Sequence, residues 1–383
     1  MQEETPDAAM PAIIRHGNTP IATTLIQKGA DGRRPEYIRT ASEQLNSSMV
    51  RILLDAGADP NYGMDAAIIK GNLEITSLLL AKGANATPPN YIQTSCSQNN
   101  LPIVKLLLEK GAKPDHGMSV SVKKNYTNMV ATLVEAGADG THADYIHDAC
   151  ALGNLEMTHI LLKAGADPNY GMDPAIEKHH NSIVTTLIEK GADGSKPEYL
   201  VKATPFNDPL LTGMLIDAGA DPKVALKPAV DTGADKVVKQ VIEKGVDATD
   251  PDLLAISVNK KYHNVAGELL NGGSDPNAWQ EVSTHYTLMH IIAQNGDGAM
   301  AKIFLAKKAE VNVVGLDGNT PLHLAVSQGK EELDMINAFI TGGADVNAVN
   351  NEGEIIFQAA KSRKIKNLLK ENGAEKKASK LNR

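Results

Sequence analysis

The stretch "NLEITSLLLAKGA" (Asn72–Ala84) places apolar residues at Leu73, Ile75, Leu78, Leu79 and Leu80 and then stops at Gly83. This spacing predicts a helix with one apolar stripe, closed by a glycine that accepts the left-handed C-cap conformation. A second, Ala-rich apolar segment precedes it ("MDAAIIK"), and a related one reads "MDPAIEK". There Asp173 is expected to cap a short first helix and Pro174 to take its first position. The pattern therefore predicts pairs of helices, the first shorter than the second.

The same pair recurs along the whole chain. "AGADPNYGMD" occupies Ala56–Asp65 and occurs again, unchanged, at Ala164–Asp173. The stop glycines Gly29, Gly57, Gly83, Gly111, Gly137, Gly165, Gly191, Gly219, Gly245 and Gly273 are separated alternately by 28 and 26 residues, giving a double period of 54. The next stops, Lys308, Gly343 and Gly373, follow at 35, 35 and 30. Thirteen units result, ten short and three longer, and units that bury their faces only on their neighbours build a curved all-α array. At roughly 10 Å per layer such an array is expected to be on the order of 100 Å long. The organisation expected is residues 8–273 for the short repeats, 274–375 for the longer ones with a C-terminal cap, and 376–383 for a basic tail.

Composition supports thin layers over bulky cores. Of 383 residues 42% are hydrophobic but only 4% aromatic, with four Phe and one Trp, which suits closely packed small-residue helices. No signal-peptide pattern lies in Met1–Pro20 and no apolar window is long enough to span a membrane. A cytoplasmic protein is expected, or one exported into a host cell if a leader precedes Met1. Two cysteines, Cys96 and Cys150, are too few for a disulfide framework and have no metal-ligand spacing.

"DGNTPLHLAVSQGK" (Asp317–Lys330), followed by "GGADVNAVNNEG" (Gly342–Gly353), closely resembles the ankyrin repeat family. Thr320, Pro321, Leu322, His323 and Ala325 match the family motif one for one, and "TLMHIIA" (Thr287–Ala293) is a looser copy. The resemblance implies a helix-pair solenoid that binds proteins without catalysis, with His290 and His323 stabilising turns. The first ten units are about five to seven residues shorter than the family's length of about 33. The missing residues are those that build a projecting hairpin, so hairpins are expected only from about Asp275 onward. "AGADPNYGMD" then reads as a compressed linker in which Asp59, Pro60 and Asn61 turn, Gly63 allows close passage and Met64 takes the place of Leu322.

The other linker type carries Tyr37, Tyr91, Tyr145 and Tyr199 at intervals of 54, with Leu253 in the fifth copy. Two readings follow. Each ring packs over the start of its helix, or the row, flanked by Arg33, Arg34 and Lys196, forms an open edge for a protein partner. Trp279, in the linker where the long repeats begin, is a further candidate anchor or a plug at the junction.

Candidate chemistry is sparse. Cys150 follows His147 by three residues, so a cysteine-dependent enzyme can be written down. Yet Cys96 and Cys150 share a repeat position with Ser42, Thr204 and Val258, as a small buried residue would. His179 and His180 are adjacent at a predicted turn, which is poor ligand spacing. No phosphate loop or dinucleotide fingerprint is present, and no cofactor or metal is expected. From Lys361 to Arg383 nine Lys or Arg face two Glu, a local +7 within a chain of net −8, so the remainder carries −15. That body repels nucleic acid, while the basic end can meet an acidic partner. The expectation is a monomeric, non-catalytic protein-binding solenoid acting by scaffolding or steric capture, of a kind suited to a bacterial or viral protein directed at a host or rival component.

Overall fold

The computed structural model describes residues 6–281, 283–328 and 332–376. The chain forms two compact units, 1–192 and 193–383. The first is a succession of helix pairs: α1 (Pro6–Arg15) with α2 (Thr19–Gln27), α3 (Pro35–Glu43) with α4 (Ser47–Asp55), α5 (Asn61–Ile69) with α6 (Leu73–Ala81), and α7 (Pro89–Ser97) with α8 (Leu101–Glu109). It continues with α9 (Asp115–Lys123) and α10 (Thr127–Glu135), α11 (Ala143–Ala151) and α12 (Leu155–Lys163), and α13 (Asn169–Glu177) and α14 (Asn181–Glu189).

The second unit pairs α15 (Pro197–Ala203), ending in a 3-10 turn, with α16 (Pro209–Asp217), then α17 (Lys223–Thr232) with α18 (Asp235–Glu243) and α19 (Pro251–Asn259) with α20 (His263–Asn271). Its longer repeats are α21 (Leu288–Asn295) with α22 (Gly298–Ala306), α23 (Pro321–Ser327) with α24 (Leu333–Thr341), and α25 (Ile356–Ala359) with α26 (Arg363–Glu371).

Helix ends are set by a few recurrent devices. Asn46, Asn72, Asn100 and Asn154 cap second helices, each side-chain oxygen accepting the N–H three residues on at 2.8–3.3 Å. The amides of Asn46 and Asn100 also donate back to the carbonyls of Gly17 and Gly71 in the preceding pair, so one residue caps its own helix and ties two layers. Each stop glycine of the short repeats lies at φ between +85° and +104°, a region costly for any residue with a Cβ. On α6 the buried stripe is Ile75, Thr76, Leu79 and Leu80, while Leu73 faces solvent.

One element differs from the sequence expectation. First helices of the unit 1–192 are as long as second helices, because α5 and α13 begin at Asn61 and Asn169, four residues ahead of Asp65 and Asp173. The cap and proline pair is thus Asp59–Pro60 and Asp167–Pro168: the aspartate accepts the N–H two residues on at 2.9 Å, and the proline already has helical dihedrals. Pro174 sits inside α13.

Hairpins occur only in the second unit among the described residues. Strand β1 (Trp279–Glu281) pairs antiparallel with β2 (Tyr286–Thr287), and an isolated bridge joins Val349 to Ile355. The fingers also bond sideways, through Leu316 N–H to Thr284 O at 2.8 Å and Asn351 N–H to Asp317 O at 3.1 Å.

Candidate protein-interaction surface

The tyrosine row lies in the layers themselves. Tyr37, Tyr91 and Tyr199 are buried at 2%, 8% and 1% exposure, and Tyr145 is half-buried. This corrects the expected openness of the row. Counted back from the left-handed residue that ends each first helix, the tyrosine position is occupied in alternate layers by Gly63, Gly117 and Gly171. A Cβ on those glycines would stand 2.8 Å from Ser42 Oγ, 2.7 Å from Cys96 Sγ and 2.6 Å from Cys150 Sγ. The glycines therefore let α5, α9 and α13 press onto α3, α7 and α11, and these first-helix contacts are more intimate than those of α1 with α3, α5 with α7 or α9 with α11, where a tyrosine intervenes. The double period is an alternation of close glycine seams and wider tyrosine seams.

Burial pushes the phenols of Tyr37, Tyr91 and Tyr145 above their ordinary value. The hydroxyl of Tyr37 has no hydrogen-bond partner among the described residues. Cations lie over two of the rings: the Arg34 guanidinium is 5.9 Å from the Tyr37 centroid, and the Lys196 ammonium is 5.3 Å from that of Tyr199. The His142 ring lies 5.1 Å from that of Tyr145, tilted by 35°, and Arg33 is exposed beside Asp31 at 3.0 Å. The backbone of Trp279 belongs to β1, but its side chain, like the basic tail from 377 onward, lies outside the described residues.

The accessible aromatics are others. Tyr62 and Tyr170, both inside the repeated decamer, are 44% and 54% exposed, and Ile69 is 63% exposed. On α5, Tyr62, Asp65 and Ile69 share one face by their three- and four-residue spacing. Sequence reading passed over Tyr62 and Tyr170 because it followed the 54-residue tyrosines. The available signal was their place one residue before the Gly-Met pair that turns inward. Shallow grooves run along this first-helix face, one beside Arg39, Asp65, Ile69 and Lys70, and a larger one of about 590 Å³ beside Gln93, Ser97, His116 and Lys123. Lys124 Nζ fixes that rim by donating to Ser97 O at 2.8 Å.

The cysteines behave as packing. Cys96 and Cys150 are fully buried and their thiols are pushed up to about 11 by desolvation. Cys150 Sγ meets Thr158 Oγ1 at 3.7 Å, while exposed His147 turns to Asp148 at 3.3 Å, so among the described residues the structure does not join His147 to Cys150. Ser42, Thr204 and Val258 are buried at the same repeat position. His179 lies exposed in a left-handed turn. His290 and His323 close capping boxes with Thr287 and Thr320 and reach the carbonyls of Asn319 and Glu354 at 3.1 and 3.4 Å; burial lowers both imidazoles below their ordinary value. Among the described residues no group of three metal-ligating side chains occurs and no helix is long and apolar enough to cross a membrane.

The family model for ankyrin repeats matches residues 64–172, 253–350 and 288–380, more than half of the chain. The E3 ubiquitin-protein ligase KEG of Arabidopsis thaliana is 24% identical over 249 residues, 60% of this chain and 15% of that protein. Two fowlpox virus (strain NVSL) ankyrin repeat proteins, FPV031 and FPV014, are each 30% identical, over 31% and 36% of this chain and 36% and 37% of their own lengths. This chain thus spans well under two thirds of each of these relatives. Among solved structures, the ankyrin repeat domain of Bcl-3 is 20% identical, with a TM-score of 0.34 over 59% of this chain and 97% of that one.

Proposed function

Because the chain belongs to the ankyrin repeat family, whose repeats form protein-interaction domains, we propose that it is a non-catalytic binder that scaffolds or sterically captures a protein on its first-helix face. The observation that carries this is a contrast on the first helices: Tyr62, Tyr170 and Ile69 stand in solvent, while the rings of Tyr37, Tyr91 and Tyr199 and both thiols are packed away. Exposed tyrosines offer large, rigid contact area with a hydroxyl, at low entropy cost. Fully buried, protonated thiols support a non-catalytic reading over a cysteine enzyme using Cys150 and His147. The net charge of −15 outside the basic end supports a protein partner over nucleic acid. We extend the proposal to a monomer working in the cytoplasm, and to an origin in a virus or bacterium whose target is a host or rival component, on the partial likeness to the fowlpox proteins.

The test is a partner isolated with the native chain and then measured against Tyr62→Ala/Tyr170→Ala. The double variant is expected to keep its urea midpoint and to lose about 2 kcal/mol or more of binding for each true hot spot. Tyr91→Ala/Tyr145→Ala is expected to lose helical content first. Normal binding by Tyr62→Ala/Tyr170→Ala sinks the proposal for this face.

A further inference from the structure

We propose that the C-terminal helix pair carries a second binding surface, independent of the first-helix face, whose ligand is a short acidic segment of another protein. The surface is the outer side of α26 with the half-buried ring of Phe357 on α25. Its apolar side, Ile365 and Leu369, is buried in the repeat, so what α26 shows to solvent is mainly cationic, with Asn367 and Glu371 beside the basic residues. The Lys366 and Lys370 ammonium groups each stand 5.7 Å from the Phe357 centroid. Among the described residues Lys361, Arg363, Lys366 and Lys370 make no ion pair, and Glu371 and Glu375 are the only acids from Lys361 onward.

A polar face on a terminal repeat is what solubility alone asks for. Solubility does not ask for this arrangement of sign. The first turn of α26 holds Arg363 and Lys364 and no acid, against the helix dipole, where a carboxylate would stabilise the helix. Local choices that work against the fold are the mark of a position held for binding.

The chemistry favours an acidic peptide over the other polyanions. From Asn350 onward no large apolar side chain stands exposed among the described residues, so nothing is placed to enter a lipid layer. The Phe357 ring is half-buried, and two ammonium groups 5.7 Å from its centroid compete with a nucleobase for it. The rest of the chain carries −15, and charges are screened beyond about 8 Å in physiological salt. A peptide no longer than α26, about 14 Å, meets the cationic patch alone, and the acidic remainder keeps it off other surfaces. Carboxylates would pair with Lys366, Lys370 and Arg363, and an apolar side chain would lie against the edge of Phe357.

The experiment measures fluorescence anisotropy of a labelled tetrapeptide of glutamate and leucine, about 14 Å when extended, with the full chain, beside a lysine and leucine control, anionic phosphatidylserine vesicles and single-stranded DNA. The acidic peptide is expected to bind, to weaken on the order of tenfold between about 50 and 500 mM NaCl, and to lose on the order of tenfold with Lys366→Glu/Lys370→Glu. Lys361→Glu/Arg363→Glu, which leaves the Phe357 contacts alone, is expected to act in the same direction with an unchanged circular dichroism spectrum. Preferential binding of vesicles or DNA overturns the assignment in favour of those ligands. Binding of none of them, or peptide binding that both charge reversals leave unchanged, also overturns it. The first-helix variants Tyr62→Ala/Tyr170→Ala are expected to bind the peptide normally, so failure of either proposal is read separately.

Discussion

Replacing Gly171 by alanine puts the close glycine seam to a quantitative test. Gly171 lies within α13, where alanine is intrinsically better than glycine by roughly 1 kcal/mol. The added methyl would stand 2.6 Å from Cys150 Sγ and 3.0 and 3.1 Å from the two terminal carbons of Leu187. The leucine ends can give by a few tenths of an ångström. The sulfur cannot, because Cys150 is fully buried on a neighbouring helix of the same seam. Overpacking of this kind costs about 1–3 kcal/mol, so after the gain of roughly 1 kcal/mol in helix propensity Gly171→Ala is expected to lie between neutral and about 2 kcal/mol destabilising. In a Cys150→Ala background the sulfur is gone and the same change is expected to be neutral or mildly stabilising. The coupling in the four-protein cycle is then about 1–3 kcal/mol. Since repeat arrays need not unfold in one step, the assay is urea unfolding combined with amide exchange read at α11 and α13. Stabilisation by Gly171→Ala in the wild-type background, or an equal effect in both backgrounds, refutes the steric account.

Other consequences are as direct. Tyr37→Phe removes a buried hydroxyl without a partner and is expected to be neutral or stabilising by up to about 1 kcal/mol, whereas Tyr37→Ala should cost about 3–5 kcal/mol; a large loss on Tyr37→Phe in a urea titration would contradict the packing described. Both thiols should resist alkylation at neutral pH and react on addition of urea, and rapid native labelling of Cys150 would reopen the enzyme reading. Their folded values lie above the ordinary thiol value of 9.0, so their contribution to stability is complete below about pH 9 and is lost as pH rises toward about 11, with Cys96→Ser/Cys150→Ser flattening that fall in a pH series of urea midpoints. His290 and His323 are lowered by burial, so the unfolded chain takes up their protons first and amide protection in α21 and α23 should fall as pH drops below about 6.5.

The helix pairs, their double period and the confinement of hairpins to the long repeats were legible because they rest on local signals. The stop glycines are needed one by one for positive φ, and an absent hairpin is an absent stretch of chain. The starts of α5 and α13 were harder to place. Two Asp-Pro pairs compete in the second decamer region, Asp167–Pro168 and Asp173–Pro174, and both satisfy the rule for a helix start. Packing decides between them: Gly171 must already be helical to lie against Cys150. The same contact explains why the tyrosine row could be found but not placed. Its spacing is a property of the sequence, whereas its depth depends on what the neighbouring layer leaves empty.

The alternation of wide and close seams also says how such a chain can lengthen or shorten. The unit of inheritance is two layers, since only a step of 54 residues returns each tyrosine and each glycine to a neighbour of the opposite kind. Excision of a single layer, 26 or 28 residues, would bring tyrosine seam onto tyrosine seam or glycine seam onto glycine seam, with a clash in one case and a void in the other. Copy number is therefore quantised in pairs across the region where the pattern holds. Past Tyr199, where the position passes to Ala225, Leu253 and Leu288, neighbouring layers no longer differ so sharply in size, and single repeats of ordinary length can follow one another.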